Sequence, residues 1–349
     1  MVRLYGVSEQ WVNFMSLSFM IAYVPLTFPA SYAMDVSGCR VALFIGNGLN
    51  LVGAALRCVI PLGGSSSITL LTVGQILSAC AQPFFTNMPP KLAMVWFPCH
   101  QRALADTVAS LSMTVGVAIG FLLPTSFGIQ NMLYIQLGWS LLSAFLTFAC
   151  FSSSPPSPAD LVVERRHTAF WSEVKMAMRN PQFLCLLIAF SCGLGSFNTM
   201  STLAGALTQP WGFSTDDASN FGVYTVVAGI VGAAAMTMVI GYTKKYRTAL
   251  LACLGLGTLF CGITAGSVCL FGKSGIALTS LGFAGLGFSA IPVMPVAFEA
   301  AVEAARPTGE GTLAGLCMSG GNVMGAIFTV LAGAVLREPS YAAFAWAIA

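Results

Sequence analysis

The spacing of charges constrains this chain more than any other feature. Between Glu9 and Asp35 no Asp, Glu, Lys or Arg occurs, and the run between Asp106 and Asp160 is long enough for two helices with a turn near Gly128-Ile129-Gln130. Further charge-free runs cover 180–215, 218–243, 248–272, 274–298 and 311–336. A helix needs about 20 apolar residues to cross a hydrocarbon layer of about 30 Å, so each of these runs fits one crossing. Charged side chains make up 8% of the 349 residues, against about a quarter in soluble domains, so lipid is the main solvent. The segments lack the period-two alternation of a transmembrane barrel. The expected fold class is therefore all-α, a multispan membrane helix bundle embedded in the lipid bilayer.

Spans are expected at about 11–34, 41–60, 67–88, 103–127, 129–151, 183–208, 217–241, 248–272, 274–297 and 312–336, with a further one starting near Tyr341. Glycines inside them, such as Gly46, Gly48 and Gly53 or Gly282, Gly285 and Gly287, suit close helix packing in lipid. The polar stretch 152–182 divides the chain into an N-terminal half, 1–151, and a C-terminal half, 183–349. It opens with a Ser/Pro cluster that cannot continue a helix. Beyond the cluster, Phe170, Val174 and Ala177 recur at helical spacing among Arg165, Arg166, Lys175 and Arg179. That pattern reads either as an amphipathic helix at the membrane surface or as a flexible tether.

Short cytoplasmic loops carry an excess of Lys and Arg. With the N-terminus of the chain outside, Arg40, Lys91, Arg102, Lys244, Lys245, Arg247 and Arg306 all become cytoplasmic, together with the basic residues of 152–182. Only Arg3, Lys273 and Arg337 fall outside, and Arg57 stays in a span near its outer end. Five spans then precede a cytoplasmic central loop. A two-half transporter has six on each side, so the first helix and most of the twelfth are expected to be missing; residues 1–10 are too short and polar to be a signal peptide or a span. Internal repetition agrees with parallel halves, since Pro98, Leu104, Ala105, Ser110 and Gly116 match Pro307, Leu313, Ala314, Ser319 and Gly325 at a constant offset.

The eleven cysteines include no CxxC pair and read as small apolar residues. His100 and His167 sit in expected loops, which leaves a metal or haem-ligand site little support, and no cofactor is expected. A net charge of +3 gives no footprint for nucleic acid. No GxSxG, HExxH or Gly-rich phosphate loop occurs, so an enzyme is not expected.

Asp35, Gly38 and Arg40 reproduce the D-x-x-G-x-R core of the loop between the second and third helices of major facilitators, with Ser31 where that family usually has Gly. A closer likeness comes from Ala22-Tyr23-Val24-Pro25-Leu26, from Gly74-Gln75 with Ala81-Gln82-Pro83-Phe84 and Pro90-Lys91-Leu92-Ala93-Met94-Val95-Trp96-Phe97-Pro98, and from Pro295-Val296-Ala297-Phe298-Glu299 with Glu303. With these segments the chain resembles the feline leukaemia virus subgroup C receptor family of major facilitators, whose members are associated with choline, ethanolamine or haem transport.

The resemblance implies a major-facilitator fold of two pseudo-symmetric halves, with a chamber in which an aromatic cage and two glutamines face a quaternary ammonium group. Asn198 stands where the family has its caging Tyr, and Thr114 and Asn322 stand where it has the glutamines. The caging Trp has no counterpart here. The expected cavity wall is Asn198, Asn322, Thr114, Gln75, Gln82 and Tyr23, polar but without the aromatic faces. Asp35, Arg40, Lys91, Glu299 and Glu303 are expected at the cytoplasmic gate.

The expected function is facilitative, alternating-access transport of a small organic solute of choline, ethanolamine or haem type, because apart from Arg57, near the outer end of its span, no ionisable residue falls within the bundle. A transport-inactive receptor or truncated pseudo-transporter is the alternative. A monomer in the plasma membrane, rather than an organelle membrane, is expected.

Overall fold

A computed structural model of the chain describes residues 9–58, 65–152, 170–243, 245–305, 308 and 310–336. The Ser/Pro cluster beyond residue 152 and the span expected from Tyr341 lie outside the described residues. Regular structure among the described residues is entirely helical: α1 Glu9–Val36, α2 Gly38–Cys58, α3 Ser65–Thr86, α4 Met88–Trp96, α5 Cys99–Cys150, α6 Phe170–Arg179, α7 Pro181–Thr208, α8 Thr215–Thr243, α9 Tyr246–Phe271, α10 Ile276–Ala290, α11 Val293–Ala304 and α12 Glu310–Val335. Nine stretches of the described residues are long and apolar enough to cross a membrane. The longest, Tyr246–Ala304, holds two of the expected spans, divided by a 3-10 turn at Gly272–Gly275.

Two expectations about breaks are met. α5 leaves helical geometry at Gly128 (φ 73°, ψ 166°), within the expected turn, a backbone region that costs a residue without Cβ nothing. α1 gives way to α2 at Gly38, also left-handed (φ 83°), inside the Asp35-Gly38-Arg40 motif. The stretch Phe170–Arg179 is helical, which favours the amphipathic reading over a tether there: Ala177 is buried while Trp171 is exposed. The Asn180 side chain ends that segment and starts the next, accepting from the backbone of Gln182 and Phe183 at the N-terminus of α7.

The chain forms two compact units, residues 1–110 with 127–172, and residues 111–126 with 173–349. In the first, α3 packs on α1 and α2. Gly53 and Gly74 meet at the α2–α3 crossing, where a Cβ on either would lie 2.6 Å from the other's carbonyl oxygen. Small residues permit such approach in lipid, where helices gain from contact rather than from escaping water. A polar ladder joins α2 to the second part of α5: Asn47 donates to Thr147 (3.0 Å) and accepts from Ser143 (2.7 Å), and Asn50 donates to Ser140 (3.0 Å).

In the second unit α7 pairs with α12, and α10 with α8 and α9. Each close pair combines a glycine with a hydroxyl. Gly195 faces the backbone of Gly325, and Thr199 Oγ1 lies 3.2 Å from Thr329 Oγ1. Gly287 abuts the Thr225 backbone, and the Thr225 hydroxyl donates to the Phe283 carbonyl (3.1 Å). The span expected at 67–88 runs on past Asn87 into α4, and that expected at 274–297 breaks near Pro292 and continues to Ala304. Each unit therefore contains one helix with a broken continuation.

Candidate functional site

The second unit holds a cavity of about 730 Å³, bounded by α7 to α12 and Phe121 of α5. That volume suits a small organic molecule. None of the lining residues carries a charge; four phenylalanines, Phe121, Phe197, Phe283 and Phe328, share the wall with Cys192, Cys253, Cys261 and several hydroxyls. Gly222 makes room for Phe121, since a Cβ there would come 2.7 Å from the ring. Phe283 is held by Phe221, with the rings parallel to within 5° and 4.9 Å apart. The Thr225 hydroxyl is committed to the carbonyls of Phe221 (2.8 Å) and Phe283 (3.1 Å). What remains for a ligand is aromatic rings, sulfur and the hydroxyls of Ser196 and Ser201, an environment in which ring faces can attract a cation without a hydrogen bond.

Asn198, Asn322 and Thr114 are not among the residues lining this cavity. Asn322 is buried and donates to the Met318 carbonyl one turn back on α12 (2.9 Å). Asn198 is half-buried on α7, next to Phe197, which does line the cavity. Thr114 is half-buried on α5. The cavity wall holds four phenylalanines at positions other than these. Sequence alone could not single these four out of 25 phenylalanines, because membrane spans use Phe on every face.

In the first unit, Tyr23 is fully enclosed. Its hydroxyl donates to Asn87 Oδ1 (2.6 Å) and accepts from Thr86 (3.3 Å), while Asn87 Nδ2 donates to Thr27 (2.8 Å) and Ser31 (3.4 Å). Tyr23, Thr27 and Ser31 recur every fourth residue, so one stripe of α1 clasps the α3–α4 joint. Ser31, which replaces the family's glycine, is part of that clasp. Gln75 accepts from Arg57 (3.1 Å) and donates to the Met15 carbonyl (3.3 Å). Gln82 lies on the same face of α3, and its Oε1 is buried with no hydrogen-bond partner among the described residues, an acceptor that a ligand hydroxyl or ammonium would satisfy.

Arg40 lies over the Phe44 ring (5.5 Å to the centroid) and donates to the Phe148 carbonyl (3.4 Å). The Asp35 side chain lies outside the described residues. Lys91 is half-buried on α4. Glu299 and Glu303 are exposed on α11, where Glu299 is within hydrogen-bonding reach of Tyr246. At the same end of that unit, Asn180 Nδ2 donates to the Ala304 carbonyl (2.7 Å) and Thr312 donates to Glu173 (3.2 Å).

Comparison with known proteins adds the family. The sequence pattern of the Major Facilitator Superfamily matches residues 1–329. A cat protein described as "Choline/ethanolamine transporter FLVCR1" is 32% identical over 356 residues, covering 96% of this chain and 63% of the relative. "Solute carrier family 49 member A3" of Xenopus tropicalis is 30% identical over 333 residues, covering 92% of this chain and 69% of the relative. The chain is an FLVCR-like member of the major facilitator superfamily. This facilitator shares its fold with the E. coli fucose:proton symporter, at a TM-score of 0.65 and 17% identity over 97% of this chain and 89% of the symporter. It spans slightly under two thirds of the cat relative's length. The cat relative's name offers choline and ethanolamine, and neither relative's name supports haem.

Proposed function

We propose that this facilitator carries a small organic cation of the choline or ethanolamine type across a membrane by alternating access of its two halves, 1–151 and 183–349. The observation that carries the reading is the uncharged cavity walled by Phe121, Phe197, Phe283 and Phe328. It suits an ammonium group through ring faces and agrees with the names of relatives that cover nearly the whole chain. The polar groups Gln75, Gln82, Asn198, Asn322 and Thr114 belong, in this reading, to the solute path, with Gln82 Oε1 the acceptor in want of a donor. Arg40, Lys91, Glu299, Glu303 and Asp35 serve the cytoplasmic gate. Movement is facilitative, because Arg57 holds its proton throughout the physiological range and no other Asp, Glu, Lys or Arg falls deep in a span of the sequence.

Uptake of labelled choline and ethanolamine into cells expressing the protein at their surface tests the proposal. Saturable uptake of either, reduced at least tenfold in Phe197→Ala or Phe328→Ala at unchanged surface expression, is the expected result. Uptake no greater than in control cells, from protein shown to be at the surface, would overturn it in favour of a transport-inactive receptor.

A further inference from the structure

The first unit holds a cation that none of its described neighbours neutralises. Arg57 belongs to the last turn of α2, yet its side chain runs back along the helix. Nε donates to the Gly53 carbonyl (3.3 Å), Nη1 to Gln75 Oε1 (3.1 Å) and Nη2 to Ser78 Oγ (2.9 Å). The apolar stretch that contains Gln75 and Ser78 starts at Ile68. On α2 the apolar stretch ends at Cys58, five residues beyond Gly53, so at a rise of about 1.5 Å per residue the guanidinium lies about 8–15 Å in from that end, inside a hydrocarbon layer of about 30 Å. The backbone of Arg57 stands at the end of its span, as expected, and its charge sits one to two turns further in.

All three acceptors are neutral, and no ion pair to Arg57 occurs among the described residues. A guanidinium has five N–H groups, so one remains on each terminal nitrogen. Donors on adjacent terminal nitrogens can meet the two oxygens of a carboxylate or phosphate, the fork that arginine offers such groups. The side chain is half-buried. The fork is also held in place: Gln75 is fixed by its second bond to the Met15 carbonyl, and the Gly53–Gly74 crossing fixes α2 against α3. An ionised side chain at this depth is expensive unless paired, and the neutral acceptors orient the charge without cancelling it.

We propose that Arg57, oriented by Gly53, Gln75 and Ser78, anchors a binding site for an oxyanion, a carboxylate or phosphate group. The site is separate from the aromatic cavity and does not depend on the transport reading. The oxyanion comes either from a free solute or from an anionic lipid headgroup, and the two sources separate experimentally. The full chain in non-ionic detergent is titrated with sodium phosphate or sodium acetate at constant ionic strength set with sodium chloride, and its melting temperature is followed. In parallel, the protein in phosphatidylcholine nanodiscs is compared with the protein in nanodiscs containing phosphatidylglycerol.

A saturable rise with phosphate or acetate in detergent identifies a free oxyanion. A rise confined to phosphatidylglycerol identifies the headgroup. Either supports the site, provided Ser78→Ala weakens the half-saturating concentration about tenfold, the loss of one hydrogen bond to a charged group, and Arg57→Gln abolishes the response. Arg57→Lys keeps the charge without the fork and is expected to fall between them, so the test stands even if Arg57→Gln does not fold. No response in the wild type, or an equal response in wild type, Ser78→Ala and Arg57→Lys, would overturn the proposal.

Discussion

At the scale of single residues, polar side chains inside the spans divide by whether their hydrogen-bonding capacity is already spent. Tyr23 is spent: its hydroxyl both donates to Asn87 and accepts from Thr86 in a fully buried setting. Tyr23→Phe leaves Asn87 Oδ1 without its donor. The variant is expected to lose about 1–3 kcal/mol of stability, seen as a lower melting temperature in detergent, with the half-saturating concentration for solute unchanged. A changed solute affinity at unchanged stability would return Tyr23 to the cavity wall. Gln82 is the opposite case, with a buried acceptor unused. Gln82→Leu removes an unsatisfied group, so its melting temperature should hold or rise while uptake falls; a stability loss without an uptake defect would make it a packing residue. The sequence marks both as polar residues within spans. It cannot say which is satisfied, because the partner of Tyr23 lies 64 residues away.

At the scale of elements, the close crossings decide which glycines matter. Gly53 and Gly74 each face the other's carbonyl across α2–α3, whereas a Cβ on Gly48, five residues earlier on α2, would meet nothing within 4 Å. Gly74→Val should force the crossing apart and cost about 1–3 kcal/mol. Gly48→Ala should be neutral or stabilising by up to about 1 kcal/mol, from better helix propensity alone. Melting temperatures and monodispersity of the two variants check the contrast, and equal behaviour would contradict it. Gly46, Gly48 and Gly53 look alike in sequence. Charge-free length places the helices and the Gly128 break within a few residues, because both follow from local chemistry. The continuations past Asn87 and to Ala304 were less legible, since the extra turns are more polar and are held by contacts such as Asn87 to Thr27.

At the scale of the whole molecule, orientation and energetics give their own tests. With the N-terminus of the chain outside, an epitope inserted in the 152–169 stretch should be reached by antibody only after the cells are permeabilised; staining of intact cells would reverse the topology. A facilitative carrier with Arg57 as its deep ionisable group should show solute uptake that changes little between pH 6 and 8, as external pH is varied, and persists when a protonophore collapses the proton gradient. Arginine stays protonated far above that range, so no proton is gained or lost there to drive transport. Uptake abolished by the protonophore would instead establish coupling.

The sequence by itself determined that this chain is a bundle of membrane-spanning helices, roughly where each helix lies, and which superfamily it resembles. These follow from charge spacing and short motifs, properties that lipid imposes on each segment separately. Only the tertiary structure decided that Tyr23 is a clasp, that Phe121, Phe197, Phe283 and Phe328 share one cavity wall, and that the charge of Arg57 reaches Ser78. The reason is physical. In lipid every segment is apolar on most of its surface, so the pattern along one helix says little about which face meets a neighbour. That choice is made by pairwise fit, through glycine crossings and hydroxyl bonds between residues far apart in the chain.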